Sequence, residues 1–173
     1  MTLLDHLLDG IVPLALFPEN TKGFYFKGEK NTLTAISQNG MFSINDPVVF
    51  RLRLESQKDG TLSLWYEEAS LDNLLITNAQ QNIPFKTSIQ LLKGLHSFEF
   101  SYYGWQSFDI KSQAAFEFDA SKTRRWYAQY QGMQAQLHPE KLRLLLKLPQ
   151  GQIELISHFT QNSETLMSNM EGG

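Results

Sequence analysis

The sequence contains no cysteine among its 173 residues. This absence excludes disulfide bonds, thiolate metal sites and cysteine nucleophiles. It leaves the redox compartment open, because a chain without cysteine tolerates an oxidising or a reducing environment. An excess of positive charge is also lacking, since 15 basic and 18 acidic residues leave a formal charge of -3. That balance disfavours a protein whose role is to coat nucleic acid or an anionic membrane surface.

Catalytic and metal-binding motifs are missing as well. The four histidines have no metal-ligand spacing such as H-x3-H, and no serine lies in a G-x-S-x-G motif. Two acidic clusters, at 67–72 and 109–119, lack the spacing of a calcium loop, so solvated charge is their simplest interpretation. We therefore expect no catalytic residue, no cofactor and no metal site, and the sequence does not indicate an enzyme.

A long apolar run is the last absence. The apolar opening, Leu3 to Phe17, is interrupted by acidic residues, Gly10 and Pro13, and it is too short to cross a bilayer. Thr2 and Asp5 resemble a capping box, and the apolar residues that follow at helical spacing predict a short amphipathic helix. These apolar residues are Leu3, Leu4, Leu7, Leu8 and Ile11. Because so short a helix is marginal alone, it must pack on something.

Most of the remaining sequence predicts β-strands. In the stretch 95–103, the rings of Phe98, Phe100 and Tyr102 alternate with smaller or polar side chains, which is typical of a strand with one face in a core. Turn signals at 28–31, 57–60 and 149–151 separate alternating runs and predict three hairpins.

Two connections have a different character. The polar stretch 68–88 is rich in Asn and Gln and predicts a long connection that wraps the body. The stretch 106–123 is irregular, with a predicted strand at Ala115–Phe118. Three cations in Lys122–Arg125 lie beside Trp126 and Tyr130, and we expect both rings to pack inward while the cations face water.

Four phrases, taken in order, carry a family resemblance. They are the amphipathic opening, VVFRLRLESQKDGTLSLWYEE, LLKGLHSFEFSYYGW and KLRLLLKLPQGQIELISHF. The matching positions are Asp59, Gly60, Trp65, Tyr66, Leu91, Leu92, Lys93, Gly94, Leu95, Phe98, Phe100, Tyr102, Trp105, Pro139, Leu142, Leu144 and Leu146. Over Phe24 to Phe159 the chain resembles the periplasmic part of a minor pseudopilin of the J type from type II secretion. It is similar also to the W-type minor pilins of type IV pili.

The resemblance implies an α+β, pseudopilin-like fold, in which an N-terminal helix packs on antiparallel β-sheets. It implies a structural role without turnover or cofactor, as a minor subunit at the tip of a periplasmic pseudopilus. Such a subunit assembles with the I-type and K-type minor pseudopilins and initiates the filament that drives export of folded proteins. Residues 1–173 would form one periplasmic domain, with 1–12 as the remnant of the assembly helix and 161–173 as a flexible tail.

Members of that family begin with a leader and a membrane helix of about twenty residues. We therefore expect the native protein to be a bacterial inner-membrane protein, anchored by a helix that precedes this sequence, with a periplasmic domain. The predicted subunit interface is the apolar helix face, because an apolar stripe left over after packing marks a partner site. Its residues are Leu4, Leu7, Leu8 and Ile11.

Two alternatives remain open at this point. The first is a minor pilin of a type IV pilus. The second, from another class, is a β-rich module that binds an apolar small ligand between its sheets, and it predicts an internal pocket on the order of a few hundred Å³. A hydrolase would need a nucleophile and a base brought into one cleft from distant segments.

Overall fold

The computed structural model describes residues 2–119 and 121–159. The helices of this part are α1 (Thr2–Asp9), α2 (Phe108–Glu117) and α3 (Gly132–Ala135), with a 3₁₀ turn at Pro18–Asn20. Its strands are β1 (Ala15–Leu16), β2 (Gly23–Phe24), β3 (Lys27–Gly28), β4 (Thr32–Ser37), β5 (Val48–Ser56), β6 (Leu62–Ser70), β7 (Thr87–Leu95), β8 (Ser97–Gly104), β9 (Arg125–Tyr127), β10 (Tyr130–Gln131), β11 (Lys141–Leu148) and β12 (Gly151–His158). None of these helices is both long and apolar enough to cross a membrane. The predicted tail at 161–173 lies outside the described residues.

The predicted α+β fold, with an N-terminal helix packed on antiparallel sheets, is wrong. The structure is 44% strand and 15% helix, and its helices are short. Helix α1 has eight residues, so it is only about 12 Å long at 1.5 Å per residue and cannot form a layer that covers a sheet. The apolar spacing of the opening indicated a helix correctly, but spacing alone does not show how much of the fold the helix contributes.

All strand pairs in the described sheets are antiparallel. The larger sheet has six strands in the order β10-β3-β4-β5-β6-β7, and the smaller has four in the order β12-β11-β8-β9. Strands β1 and β2 form a separate pair. The predicted hairpins are confirmed: β3 pairs with β4 over two residues, and β5 with β6 and β11 with β12 pair along their full lengths.

The chain passes from the larger sheet to the smaller one between β7 and β8. Strand β7 pairs with β6, and β8 pairs with β11 after a single intervening residue, His96. Gly94 has a φ of +71° just before this corner, a conformation that glycine adopts without the steric cost of a Cβ. The segment from β7 to β8 is therefore the junction of the two sheets.

The main core lies between the two sheets. Alternate residues of β8 and β11 point into it and meet alternate residues of the larger sheet, as the period of two in the sequence predicted. The buried side chains include Leu33, Phe50, Leu52, Leu64 and Tyr66 on one side, and Phe100, Tyr102, Leu142, Leu144 and Leu146 on the other. Burying each of these large side chains contributes about 1.5–3 kcal/mol.

A second, smaller core covers the outer face of the larger sheet. Ile36 and Val49 project from that face, and Ile76, Ala79 and Ile83 of the connection after β6 pack over them. Lys27 Nζ also donates a hydrogen bond to the Ala79 carbonyl at 2.9 Å. The prediction that the polar stretch 68–88 wraps the body is confirmed for residues 71–86, whereas its two ends belong to β6 and β7. The few apolar residues of 71–86 provide the attachment.

Helix α1 closes the edge of the main core and touches one strand of each sheet. The Ser37 hydroxyl donates to the Leu7 carbonyl at 2.8 Å, and the Ser157 hydroxyl donates to Asp9 Oδ1 at 2.9 Å. The four residues of the predicted subunit interface, Leu4, Leu7, Leu8 and Ile11, are only 0–4% exposed. The structure thus places these side chains inside the intramolecular core, and they are absent from the protein surface.

Candidate functional site

Helix α2 and the residue that follows it carry three exposed phenylalanine side chains. None of its residues is buried. Phe108 is 51% exposed, Phe116 84%, and Phe118, which follows the helix, 92%. A strand was predicted at Ala115–Phe118, and this prediction is wrong because the segment forms the last turn of α2 and its left-handed C-cap. Large apolar side chains without intramolecular cover mark an interaction surface.

Local hydrogen bonds order the residues at both ends of α2. Ser107 caps the helix, its Oγ accepting the N–H of Ile110 at 3.3 Å. After the helix, Asp119 accepts hydrogen bonds from the Ser121 hydroxyl at 2.7 Å and the Ser121 N–H at 2.9 Å, and these bonds lower the pKa of the Asp119 carboxyl. The Tyr130 hydroxyl donates to the Trp105 carbonyl at 2.8 Å just before the helix. The exposed rings are therefore presented on an ordered element.

A cavity of about 490 Å³ lies between the first turn of α2 and the body of the protein. Its walls combine apolar and charged side chains from four segments of the chain. The lining residues include Pro13, Lys22, Phe24, Phe108, Asp109, Lys111, Leu137 and His138. The cavity is open to solvent at the surface, whereas the apolar-ligand alternative predicts an internal pocket between the sheets.

His138 forms the buried wall of this cavity. Its Nδ1 donates to the Pro139 carbonyl at 2.9 Å, and its ring lies edge-on to Phe26 and Phe159 at centroid distances of 4.9 and 5.2 Å. Nε2 has no hydrogen-bond partner among the described residues. Burial lowers the pKa of His138 to about 4, so the imidazole is neutral near pH 7 and behaves as an aromatic wall.

The loop between β4 and β5 is held by a buried carboxylate. Glu68 of β6 accepts the backbone N–H groups of Met41, Phe42 and Ser43 at 2.8, 3.2 and 2.7 Å, and it accepts a hydrogen bond from the Tyr66 hydroxyl. Three consecutive N–H groups around one carboxylate form a charge-assisted clamp, which is stronger than a set of neutral hydrogen bonds.

This clamp presents a second exposed apolar surface. Burial by itself raises the pKa of Glu68, but the hydrogen bonds it accepts outweigh burial and lower the pKa below its ordinary value. The carboxylate is therefore ionised at neutral pH. The loop that it holds exposes Phe42, whose ring lies 6.0 Å from that of Tyr66, and Ile44, which is 85% exposed.

We expect Glu68→Gln to lower the free energy of unfolding by about 1–3 kcal/mol, because an amide keeps one acceptor oxygen and loses the charge-assisted bonds. Since the folded-state pKa lies below the ordinary value, this stabilisation is present above the unfolded-state pKa and is lost as pH falls through the folded-state pKa. Urea denaturation at pH 7 measures the change. Glu67→Gln, which removes only the contact with half-exposed Arg51, is the matched control, and equal losses for both variants would contradict the clamp.

The outer face of the smaller sheet carries a ladder of rings and cations. The Arg143 guanidinium lies 4.8 Å from the Trp126 ring centroid, and Lys141 Nζ lies 4.9 Å from that of Tyr103. Trp126 is 37% exposed on this face, so its predicted inward packing is wrong, whereas Tyr130 is buried as predicted. Both cations contact rings, and the Arg143 guanidinium also lies 4.0 Å from the Glu154 carboxylate.

The two acidic clusters separate in the fold. Glu67 contacts Arg51 at 2.5 Å, whereas the neighbouring Glu68 binds the backbone of the loop between β4 and β5. Glu117 pairs with Lys122 at the end of α2. Within residues 2–119 and 121–159, no group of three or more His, Asp or Glu side chains is placed to hold a metal ion.

Sequence reasoning missed both exposed apolar surfaces. A signal for α2 was present: Ser107 is a favourable N-cap, Asp109 lies in the first turn, and Gln113-Ala114-Ala115 are good helix formers. No comparable signal marked the clamped loop, because Glu68 and Met41 lie far apart in the sequence.

The described residues form a mostly antiparallel β protein with two exposed apolar surfaces. One surface is that of α2, which follows β8 of the smaller sheet, and the other is the loop between β4 and β5 of the larger sheet. No protein-family model matches the chain, and no curated protein or solved structure matches it. The resemblance to minor pseudopilins therefore depends on the sequence phrases alone, and the functional argument depends on the geometry of the described residues.

Proposed function

We propose that this protein is a structural subunit that works by assembly, and that it serves as a minor pseudopilin of the J type at the tip of a type II secretion pseudopilus. The observation that carries the proposal is the exposed apolar surface of α2, formed by Phe108, Phe116 and Phe118. In this role the protein joins the I-type and K-type minor pseudopilins and helps to initiate the filament, with no substrate turned over.

The α2 surface has the energetics of a partner site. Burying one phenylalanine side chain contributes about 1.5–3 kcal/mol, so two or three rings at the centre of an interface supply much of the free energy of a specific contact. The Ser107 cap and the Asp119 turn order the helix before a partner arrives, which lowers the entropic cost of binding.

The second apolar surface supports a role within an assembly. Phe42 and Ile44 project from the loop between β4 and β5 of the larger sheet, whereas α2 follows β8 of the smaller sheet. A subunit inside a filament contacts different neighbours through different surfaces in a heterologous arrangement. Two separate apolar surfaces on one small protein match that requirement.

The positions of the family phrases are consistent with the same proposal. Asp59 and Gly60 form the β5-β6 turn, with a φ of +82° at Gly60, and Leu91–Leu95 ends β7. Trp105 follows β8, and Pro139 precedes β11. The ordered phrases thus coincide with successive turns and strand ends. At such positions the backbone conformation restricts which residues are allowed, so a shared fold would produce a shared pattern.

The test is capture of purified I-type and K-type minor pseudopilins by this protein. We expect the double variant Phe116→Ser/Phe118→Ser to weaken capture at least tenfold, because a partner can no longer bury the two rings. Far-UV circular dichroism should be unchanged, since both side chains are already exposed. Phe17→Ser, which removes a half-exposed ring outside α2, is the matched control and should retain wild-type capture.

The result that contradicts the proposal is wild-type capture by the α2 variant, or no capture by the wild-type protein. A type IV pilus minor pilin is the related alternative, and the same assay with type IV minor pilins separates the two. Preferential capture of the pilus proteins would assign the protein to the pilus.

A further inference from the structure

We propose that the cavity beside α2 is a binding site for a small apolar molecule that carries one carboxylate. This inference goes beyond the assembly role and stands on the cavity itself. It holds whether or not the exposed rings of α2 bind a pseudopilin.

The size and the apolar walls suit a small ligand. A volume of about 490 Å³ lies within the range of about 300–1,000 Å³ that is typical of small-molecule sites. Phe24 and Leu137 contribute apolar surface from the body, and Phe108 contributes it from α2. Phe108 is half exposed, so a ligand in the cavity would cover part of a ring that the protein leaves uncovered.

The rim carries an excess of positive charge. Lys22 and Lys111 both line the cavity, against a single carboxylate from Asp109. None of the three forms an ion pair with another described residue. The Lys22 ammonium lies 5.5 Å from the Phe24 ring centroid, so a cation stands directly beside the apolar wall. Two ammonium groups and one carboxylate leave one positive charge to balance.

His138 does not alter this charge. Because burial lowers its pKa to about 4, the imidazole is neutral at physiological pH and adds an aromatic wall to the cavity. The charge preference therefore comes from Lys22, Lys111 and Asp109. A single carboxylate neutralises the excess, a cation is repelled by it, and a dianion brings more charge than the rim can balance.

The test compares three probes that share a ten-carbon chain: decanoate, decanol and decyltrimethylammonium. Isothermal titration calorimetry measures binding to the full chain at pH 7, below the critical micelle concentrations of the two ionic probes and the solubility limit of decanol. We expect decanoate to bind at least tenfold more tightly than decanol, and decyltrimethylammonium to bind more weakly still. NMR shift changes on decanoate addition should concentrate at Phe24, Phe108 and Leu137.

Variants locate the effect in the cavity. Lys22→Met/Lys111→Met keeps the apolar stems and removes both charges, so we expect decanoate to bind it no better than decanol. Lys30→Met, at an exposed lysine outside the cavity lining, is the matched control and should behave as wild type. Equal affinity for the three probes, retention of the decanoate preference by the double variant, or shift changes elsewhere on the protein would each overturn the proposal.

Discussion

Replacing Gly28 with alanine should lower the free energy of unfolding by about 3 kcal/mol, at the upper end of the range for overpacking a core. A Cβ at Gly28 would lie 2.5–2.8 Å from three atoms of the Tyr102 ring. Real Cβ atoms essentially never approach other heavy atoms this closely. Equilibrium urea denaturation of the wild-type and variant proteins measures the difference.

The Tyr102 ring cannot move away cheaply. It belongs to β8 in the smaller sheet, whereas Gly28 belongs to β3 in the larger one, so the two residues meet across the main core. Tyr102 is fully buried, its hydroxyl donates to the Glu29 carbonyl at 3.1 Å, and its ring packs edge-on against Phe26 at 5.6 Å. Relieving the clash would therefore separate the sheets or break these contacts.

A matched control and a double-mutant cycle make this prediction specific. At Gly104 the nearest atom to an added Cβ is 3.5 Å away, an ordinary contact, so Gly104→Ala should stay within about 1 kcal/mol of wild type. In a Tyr102→Leu background the ring is absent, and Gly28→Ala should cost much less than in wild type. Equal costs in the two backgrounds would show that the ring does not set the limit.

Acidification from pH 6.5 to pH 4 should remove about 3 kcal/mol of stability through His138 alone, since one pKa unit is worth about 1.4 kcal/mol. The pKa of His138 falls from its ordinary value of 6.5 to about 4 in the folded protein because the ring is buried. Between these values the unfolded chain binds a proton that the folded protein excludes, so stability falls as pH falls through this window. Above about pH 7.5 the residue makes almost no pH-dependent contribution, because the imidazole is then neutral in both states.

The surroundings of His138 explain why it excludes the proton. The rings of Phe24, Phe26 and Phe159 pack around it, and Nδ1 has the Pro139 carbonyl as its only hydrogen-bond partner among the described residues. That carbonyl favours the charged form slightly, but burial dominates. No described carboxylate forms an ion pair with the ring.

Two variants and one direct observation test the assignment. His138→Leu should flatten the dependence of unfolding free energy on pH between 6.5 and 4.5, whereas His96→Gln, at an exposed position, should leave it as in wild type. NMR titration of the wild-type imidazole should show a neutral ring down to about pH 4. Protonation of His138 near pH 6.5 in the folded protein would disprove the prediction.

The predicted strands and hairpins succeeded where the information is local. The alternation in Phe98–Tyr102 predicts which side chains enter a core, because the period of two is a property of any strand. The Asp59-Gly60 turn and the Pro149–Gly151 turn predict pairing, since a short turn leaves two adjacent strands little choice of partner. The helical spacing of the opening likewise predicts α1.

Local spacing says least about contacts between distant segments. The apolar face of Leu4, Leu7, Leu8 and Ile11 has the pattern of a helix with one buried side, and the pattern does not show whether the cover comes from the same chain or from a partner. Here the two sheets provide it. The strand predicted at Ala115–Phe118 failed because a cap at Ser107 and good helix formers outweighed two aromatic residues.

The sequence by itself determined the three hairpins, the turns within them and which faces of the strands are apolar, since each depends on neighbours a few residues apart. Only the tertiary structure decided how the strands divide into two sheets, that α1 is buried at their edge, and that the rings of α2 stay uncovered. It also brought Lys22, Lys111 and His138 around one cavity. These features depend on which segments, distant in the sequence, pack against each other, and the local spacing of residues does not predict that packing.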